Sequence, residues 1–359
     1  MIRETIEVKT TEGTVLCSYY ASERIVGAER INKSVERMRQ LLEATYPRAE
    51  LGDIEYELYV YESEEVNAFS TKTEEGYVIA FSTAVFIKFY KVVKNMFLVE
   101  EIRRWFGIPP TQAEDCINAI YDYMNWFIAF HELFHIINGH CKWLSGMGIF
   151  HAEKLTKNER GDNLQIQIVE SDADYCAIQA CVNLIFIQII NEGAFDENTD
   201  LDRCHELIEA AKQEILFMEF AVYQIFLLFS QDEKAIGNMD DLLKYDHPYA
   251  SIRMAYSFAA MIYQLSFYLT MDEVTELVYK IAGICIAYDR IYYAEEVFQR
   301  SLVSLAFTER GVQHVMLLHN GWNHIVDQLS KYSHIKLKEK EEIPELQYWV
   351  KEDGTMMWE

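Results

Sequence analysis

The segment His131-Glu-Leu-Phe-His135 constrains this chain more than any other feature. At about 100° per residue, two histidines four apart on a helix are separated by only about 40°. Both imidazoles then project from one face, one turn apart, close enough to share a single ion. Zinc suits such a pair: imidazole is a good ligand, and a catalytic site combines three protein ligands with a water. Glu132 sits one residue along and reaches that water from the side. It is thereby placed as general base, and later as proton donor to a leaving amine. A helix must run through this segment, and a second element must deliver the third ligand.

That element is read in Glu170-Ser-Asp-Ala-Asp174, on the next long helix. Glu170 and Asp174 are four apart and face the same way. Glu170 completes a His₂Glu set, and Asp174 accepts the hydrogen bond of a ligand histidine's other N–H, fixing its tautomer. The apolar flanks Ile166, Ile168, Val169, Tyr175 and Ala177 favour carboxylates turned inward, with Asp172 on the solvated side. His140 follows His131 by nine residues, about 180° around a continuous helix, so it reads as a structural or supporting residue. The longer pattern HExxHxxGxxH is absent, since Asn138 and Cys141 stand at its glycine and third histidine.

Two further segments belong to the argument. Asp246-His247-Pro248 precedes a helix with proline as its first residue. His247 there can point into a cleft and donate to the oxyanion of a tetrahedral intermediate, and Arg253, further in, can pair with Asp174. Asn67-Ala68-Phe69, followed by Tyr77–Phe81 with Val78, Ile79 and Ala80, offers a strand for an extended peptide. A plain hairpin of the core sheet has the same pattern.

Taken in order, NAFST with GYVIAFST, then HELFHIINGH, then ESDAD, then HPYASIR resembles the gluzincin group that includes the CAAX prenyl proteases and HtpX-like peptidases. The resemblance covers about residues 60–260. It implies a zinc metalloendopeptidase with His131, His135 and Glu170 as ligands and Glu132 as base. It also implies that Asp174 orients a ligand, that His247 and Arg253 line the site, and that Asn67, Ala68, Phe69, Val78, Ile79 and Ala80 bind substrate. In its cellular setting the chain is more similar to the soluble phage-exclusion Lit-type peptidases, which act on a folded host protein.

The rest of the sequence frames this motif set. Residues 1–20 predict a strand pair turning near Thr11–Gly13, and residues 28–45 an amphipathic helix. Ile54–Ser63 alternates as a strand does; Val66–Gly76 reads as a turn-rich loop, and 84–106 as helical. After Pro109-Pro110 the chain is almost wholly helical. Thr111 and Glu114 fit a capping box for a helix over 111–142. Further helices are expected over 163–191, 201–230 and 248–269, with two or three more over 271–332. The expected fold is α+β: a predominantly helical zincin-like core over 1–270, with a small antiparallel or mixed sheet at 50–85. A C-terminal helical extension, 271–359, ends in a charged, peripheral tail.

A net charge of −25 argues against nucleic acid and anionic membranes as partners. Seven scattered cysteines with no CxxC pair read as reduced thiols. The N-terminus has no apolar core of a signal sequence, and the longest apolar run, Ile215–Phe229, is shorter than the roughly 20 residues a span needs. A cytoplasmic enzyme acting on a peptide or protein is therefore expected, with no clear membrane span. Two other readings compete. A di-iron helical protein needs a second Glu-x-x-His, which the chain lacks. A degenerate, sensing or regulatory metal-binding protein usually loses the base or a ligand, and here all are present.

Overall fold

The structure is a computed structural model that describes residues 4–10, 13–52, 54–146, 163–192, 201–229, 243–293 and 300–340. Its N-terminal part is a mixed sheet. β1 (Thr5–Thr10) and β2 (Gly13–Ser18) form an antiparallel hairpin, and Gly13 takes the positive φ of 129° at its turn. α1 (Ala28–Thr45) then leads to β3 (Tyr56–Tyr61), β4 (Ala68–Lys72) and β5 (Tyr77–Ser82). The strand order is β1-β2-β3-β5-β4, with β3 and β5 parallel and the other pairs antiparallel. Side chains alternate between faces. Leu58, Val60, Ile79 and Phe81 turn toward the helices, while Tyr59, Phe69, Val78 and Ala80 form a separate apolar cluster with Val8 and Cys17.

This topology corrects the expected substrate strand. Tyr77–Ser82 is an interior strand, bonded on both sides, so Val78, Ile79 and Ala80 have no ladder groups left for a peptide. The edge is β4 itself, the Ala68–Phe69 segment that sequence pattern read as a loop. Asn67 is tied to β5 instead: its carbonyl accepts the Ser82 N–H at 2.9 Å and its own N–H donates to Ser82 Oγ at 3.1 Å.

The helices follow as α2 (Thr83–Phe97), α3 (Glu100–Trp105), α4 (Ala113–Ile137), α5 (His140–Gly146), α6 (Asn163–Glu192), α7 (Leu201–Phe229), α8 (Ala250–Leu265), α9 (Met271–Tyr293), α10 (Leu302–Ala306) and α11 (Glu309–Leu329). α4 is the hub, packed against α1, α2, α6, α7 and β4. Every residue from Phe127 to Ile137 is buried, so over three turns this helix has no solvent face. Its start departs from expectation: Gln112 is the N-cap, a short 3-10 turn covers Pro110–Gln112, and no side chain caps it. α8 likewise begins two residues after Pro248, with Tyr249 as N-cap.

The segment expected as a separate extension shares the core. Val274, Leu277, Ile281, Leu302 and Val303 belong to the same apolar cluster as α4, and Leu318, Trp322 and Val326 pack with Ile168, Tyr249 and Ile252. The start of the expected peripheral tail is docked too. His334 N–H and Ser333 Oγ both donate to the Ile137 carbonyl at the end of α4; residues 341–359 lie outside the described residues. By length and composition α6 is the one described helix long and apolar enough to cross a membrane. It is not the run singled out from sequence, and half of its most apolar stretch is buried inside the protein.

Two predictions follow from this packing. Gly139 ends α4 at φ +83°, and a Cβ there would meet Tyr332 C at 2.5 Å and Ser333 N at 2.7 Å. Gly139→Ala therefore combines a left-handed backbone with a clash, and denaturant unfolding should show a loss of about 2 kcal/mol or more. Glu219 on α7 is fully buried, and burial pushes its carboxyl up to about 7 against the bond from Ser257 Oγ. A carboxyl raised on folding favours the native state most below its unfolded value, and that contribution fades as pH rises toward 7. Glu219→Gln should flatten the decline in urea midpoint between about pH 5 and pH 8; equal slopes in the two proteins would contradict this.

Candidate metal centre

The buried stretch of α4 carries three ionisable residues, and ionisable groups taken from water need partners. His131, Glu132 and His135 are all 0% exposed, as is Glu170 on α6. The two helices pack side by side, which brings the two imidazoles and the distant carboxylate together. The Nε2 atoms of His131 and His135 are 3.0 Å apart. Glu170 Oε2 is 3.4 Å from His131 Nε2, and Glu170 Oε1 is 3.3 Å from His135 Nε2. An ion bound at about 2.0–2.1 Å with tetrahedral angles separates its ligand atoms by about 3.3 Å. The imidazole nitrogens and the two oxygens of the carboxylate, each facing one ring, lie at separations of this size. His131, His135 and Glu170 form a group that can hold a metal ion, and among the described residues it is the one such group.

The surrounding side chains hold these ligands in place. Asp174 Oδ1 is 2.9 Å from His131 Nδ1, so the ring's other nitrogen points at the centre. Arg253 grips the same carboxylate with two bonds, Nε at 2.7 Å and Nη2 at 2.8 Å, and its guanidinium lies over the Phe226 ring at 4.9 Å. His247, in the loop before α8, is buried. Its Nε2 lies 3.4 Å from Glu170 Oε2 and its Nδ1 is 3.0 Å from Asp246 Oδ1. That loop is braced from α11: His314 Nε2 meets Gln167 Oε1 at 2.9 Å, and Gln167 Nε2 donates to the Tyr245 carbonyl at 2.7 Å. Burial pushes His314 down to about 4, so it makes this contact as a neutral ring.

Two positions depart from the sequence reading. His140 is not on the far side of α4, because the helix stops at Asn138, turns through Gly139 and restarts. The turn swings His140 back, and its Nδ1 lies 3.1 Å from His135 Nδ1. Asp172 is not solvated: it is 8% exposed, accepts a 2.7 Å bond from Asn138 Nδ2, and lies 3.2 Å from His140 Nε2. The signal that was available is Asn138-Gly139, a common helix terminator, after which helical angles no longer apply. Gln167 and His314 carried no sequence signal, since only tertiary packing joins them.

Of the expected strand residues, Ala68 and Phe69 lie on β4, which packs against α4 and α5. The neighbouring Ser70 Oγ is 3.5 Å from Cys141 Sγ. Burial pushes that thiol up to about 12, partly offset by the Ser70 bond and reinforced by the nearby Glu132 and Glu170 carboxylates. Cys141 is therefore an uncharged thiol beside the centre. Comparison with protein-family models, with curated proteins and with solved structures gives no match.

The Asp174–Arg253 pair generates its own test. Arg253→Met leaves the Asp174 carboxylate buried beside His131 without its guanidinium, and urea unfolding should show a loss of about 3–5 kcal/mol. Asp174→Asn added to that variant should recover part of the loss. Full stability of Arg253→Met alone would contradict the pairing.

Proposed function

We propose that this chain is a zinc-dependent endopeptidase of the gluzincin kind, cytoplasmic and acting on a peptide or protein. The observation that carries the reading is the convergence of two imidazoles and one carboxylate from two packed helices, with nearest nitrogen and oxygen atoms 3.0–3.4 Å apart and Glu132 next to His131 in the chain. Two imidazoles and one carboxylate are the donor set of hydrolytic zinc sites. His131, His135 and Glu170 would hold the ion, and zinc bound there would supply Lewis-acid polarisation of a carbonyl and a water with its pKa lowered to about 7.

The chain's own residues then have separate tasks. Asp174, neutralised by Arg253, keeps the His131 proton on Nδ1. Glu132 accepts the proton of the attacking water and passes it to the leaving nitrogen. His247, seated against Asp246, is the candidate donor to the developing oxyanion. Ala68 and Phe69 on the edge strand remain the candidate peptide contacts, by main-chain pairing.

One observation favours a second reading, a structural or sensing metal site. All four central side chains are 0% exposed, so in this conformation they are closed to a substrate. A single variant separates the two readings. Glu132→Gln should retain zinc, measured by elemental analysis, and lose about 10²–10⁴-fold in cleavage of an unfolded protein substrate. Cleavage at the wild-type rate would overturn the peptidase mechanism. Zinc retention by a wild type that cleaves nothing would favour the sensing site.

A further inference from the structure

Asp174 braces one of the two ligand histidines, and nothing in the motif explains what holds the other. The shell around His135 has a fixed polarity that answers this. Asp172 Oδ2 accepts the Asn138 amide at 2.7 Å. His140 Nε2 lies 3.2 Å from the same oxygen, close enough for the carboxylate to favour a proton on that nitrogen but without hydrogen-bond alignment. The other ring nitrogen, Nδ1, faces His135 Nδ1 at 3.1 Å. One hydrogen lies in that contact, and with Nε2 of His135 turned to the centre as a lone pair it comes from His135 Nδ1 and is accepted by His140. His135 Nε2 is the nitrogen 3.0 Å from His131 Nε2 and 3.3 Å from Glu170 Oε1.

We infer that His140 is a positioning residue for the metal centre: through its Nδ1 contact, with the Asp172 carboxylate on its other side, it fixes His135 as an Nε2 ligand. The two ligand histidines are thus braced by different chemistries. His131 leans directly on a carboxylate that Arg253 neutralises. His135 leans on an imidazole with a carboxylate one step further out. Glu170, Asp172 and Asp174 project from one stretch of α6, so a single helix supplies a ligand and the anchor of each brace. The Asn138–Gly139 break makes the second brace possible, because a continuous helix would carry His140 to the opposite face.

The inference rests on the proposed metal site, and the test separates the two. Zinc affinity is measured by competition with a chromophoric chelator for the wild type, His140→Phe and His140→Asn. The tautomer of His135 is read from its ¹⁵N shifts in the zinc-loaded wild type and His140→Asn. Phenylalanine keeps the ring and removes the acceptor; asparagine can place a carbonyl oxygen near the Nδ1 position. His140→Phe should weaken zinc binding by about 10- to 100-fold, and His140→Asn should recover most of it. The ¹⁵N pattern should show the proton on His135 Nδ1 in both proteins measured. A wild type that binds zinc tightly while His140→Phe binds within about twofold of it would overturn the role of His140 and leave the metal site standing. So would a His135 proton on Nε2. A wild type with no zinc affinity would overturn both. If His140→Phe fails to fold, the ¹⁵N comparison of wild type and His140→Asn still decides the matter.

Discussion

Burying ionisable groups together is the constraint on which this molecule turns. Two imidazoles, a carboxylate and a neighbouring glutamate share a region with no exposed surface. In a low-dielectric interior such groups are strongly unfavourable unless hydrogen bonds and opposite charge surround them. Three of the four are met by a specific neighbour: Asp174 and Arg253 behind His131, His140 and Asp172 behind His135, His247 beside Glu170. A cation among the three converging side chains would offset the carboxylate charge, which is the physical case for a metal here.

The architecture around the centre follows from that requirement. α4 has to be buried on every side to exclude water from its three polar residues, so α1, α2, α6, α7 and the sheet wrap it. α6 must lie close to its ligand face, and small residues help: Ala173 and Ala177 are fully buried in the same core as α4. The C-terminal helices are part of this frame. α11 crosses α6 where Gly321 leaves room for Ile168, and its His314 holds Gln167, which holds the backbone beside His247. A substitution on α11 therefore reaches the proposed oxyanion donor through two hydrogen bonds.

Much of this was legible in the sequence, and the boundaries of that legibility are physical. Helical periodicity places His131 and His135 on one face, and Glu170 and Asp174 on another, because side-chain direction within a helix is a local property. The same arithmetic failed at His140, since it assumed a helix that Gly139 ends. Asp172 looked solvated because one helix was judged alone; α5 and Asn138 cover it. The edge strand was assigned to Tyr77–Phe81 because that run has the stronger β pattern, yet strand order depends on long-range pairing. The shorter Ala68–Lys72 took the edge. The peptidase chemistry is a proposal that rests on the donor set, and the substrate is set by surfaces that no motif encodes.

The central claim is that His131, His135 and Glu170 bind one metal ion between them. X-ray absorption at the zinc K-edge, on protein exposed to zinc and freed of excess, tests it most directly. The account predicts one ion per chain in a shell of nitrogen and oxygen at about 2.0–2.1 Å, with the outer-shell scattering of two imidazoles. That signal should fall to one imidazole or vanish in His135→Ala. A chain that retains no ion, or a shell that contains sulfur or survives His135→Ala unchanged, would contradict it.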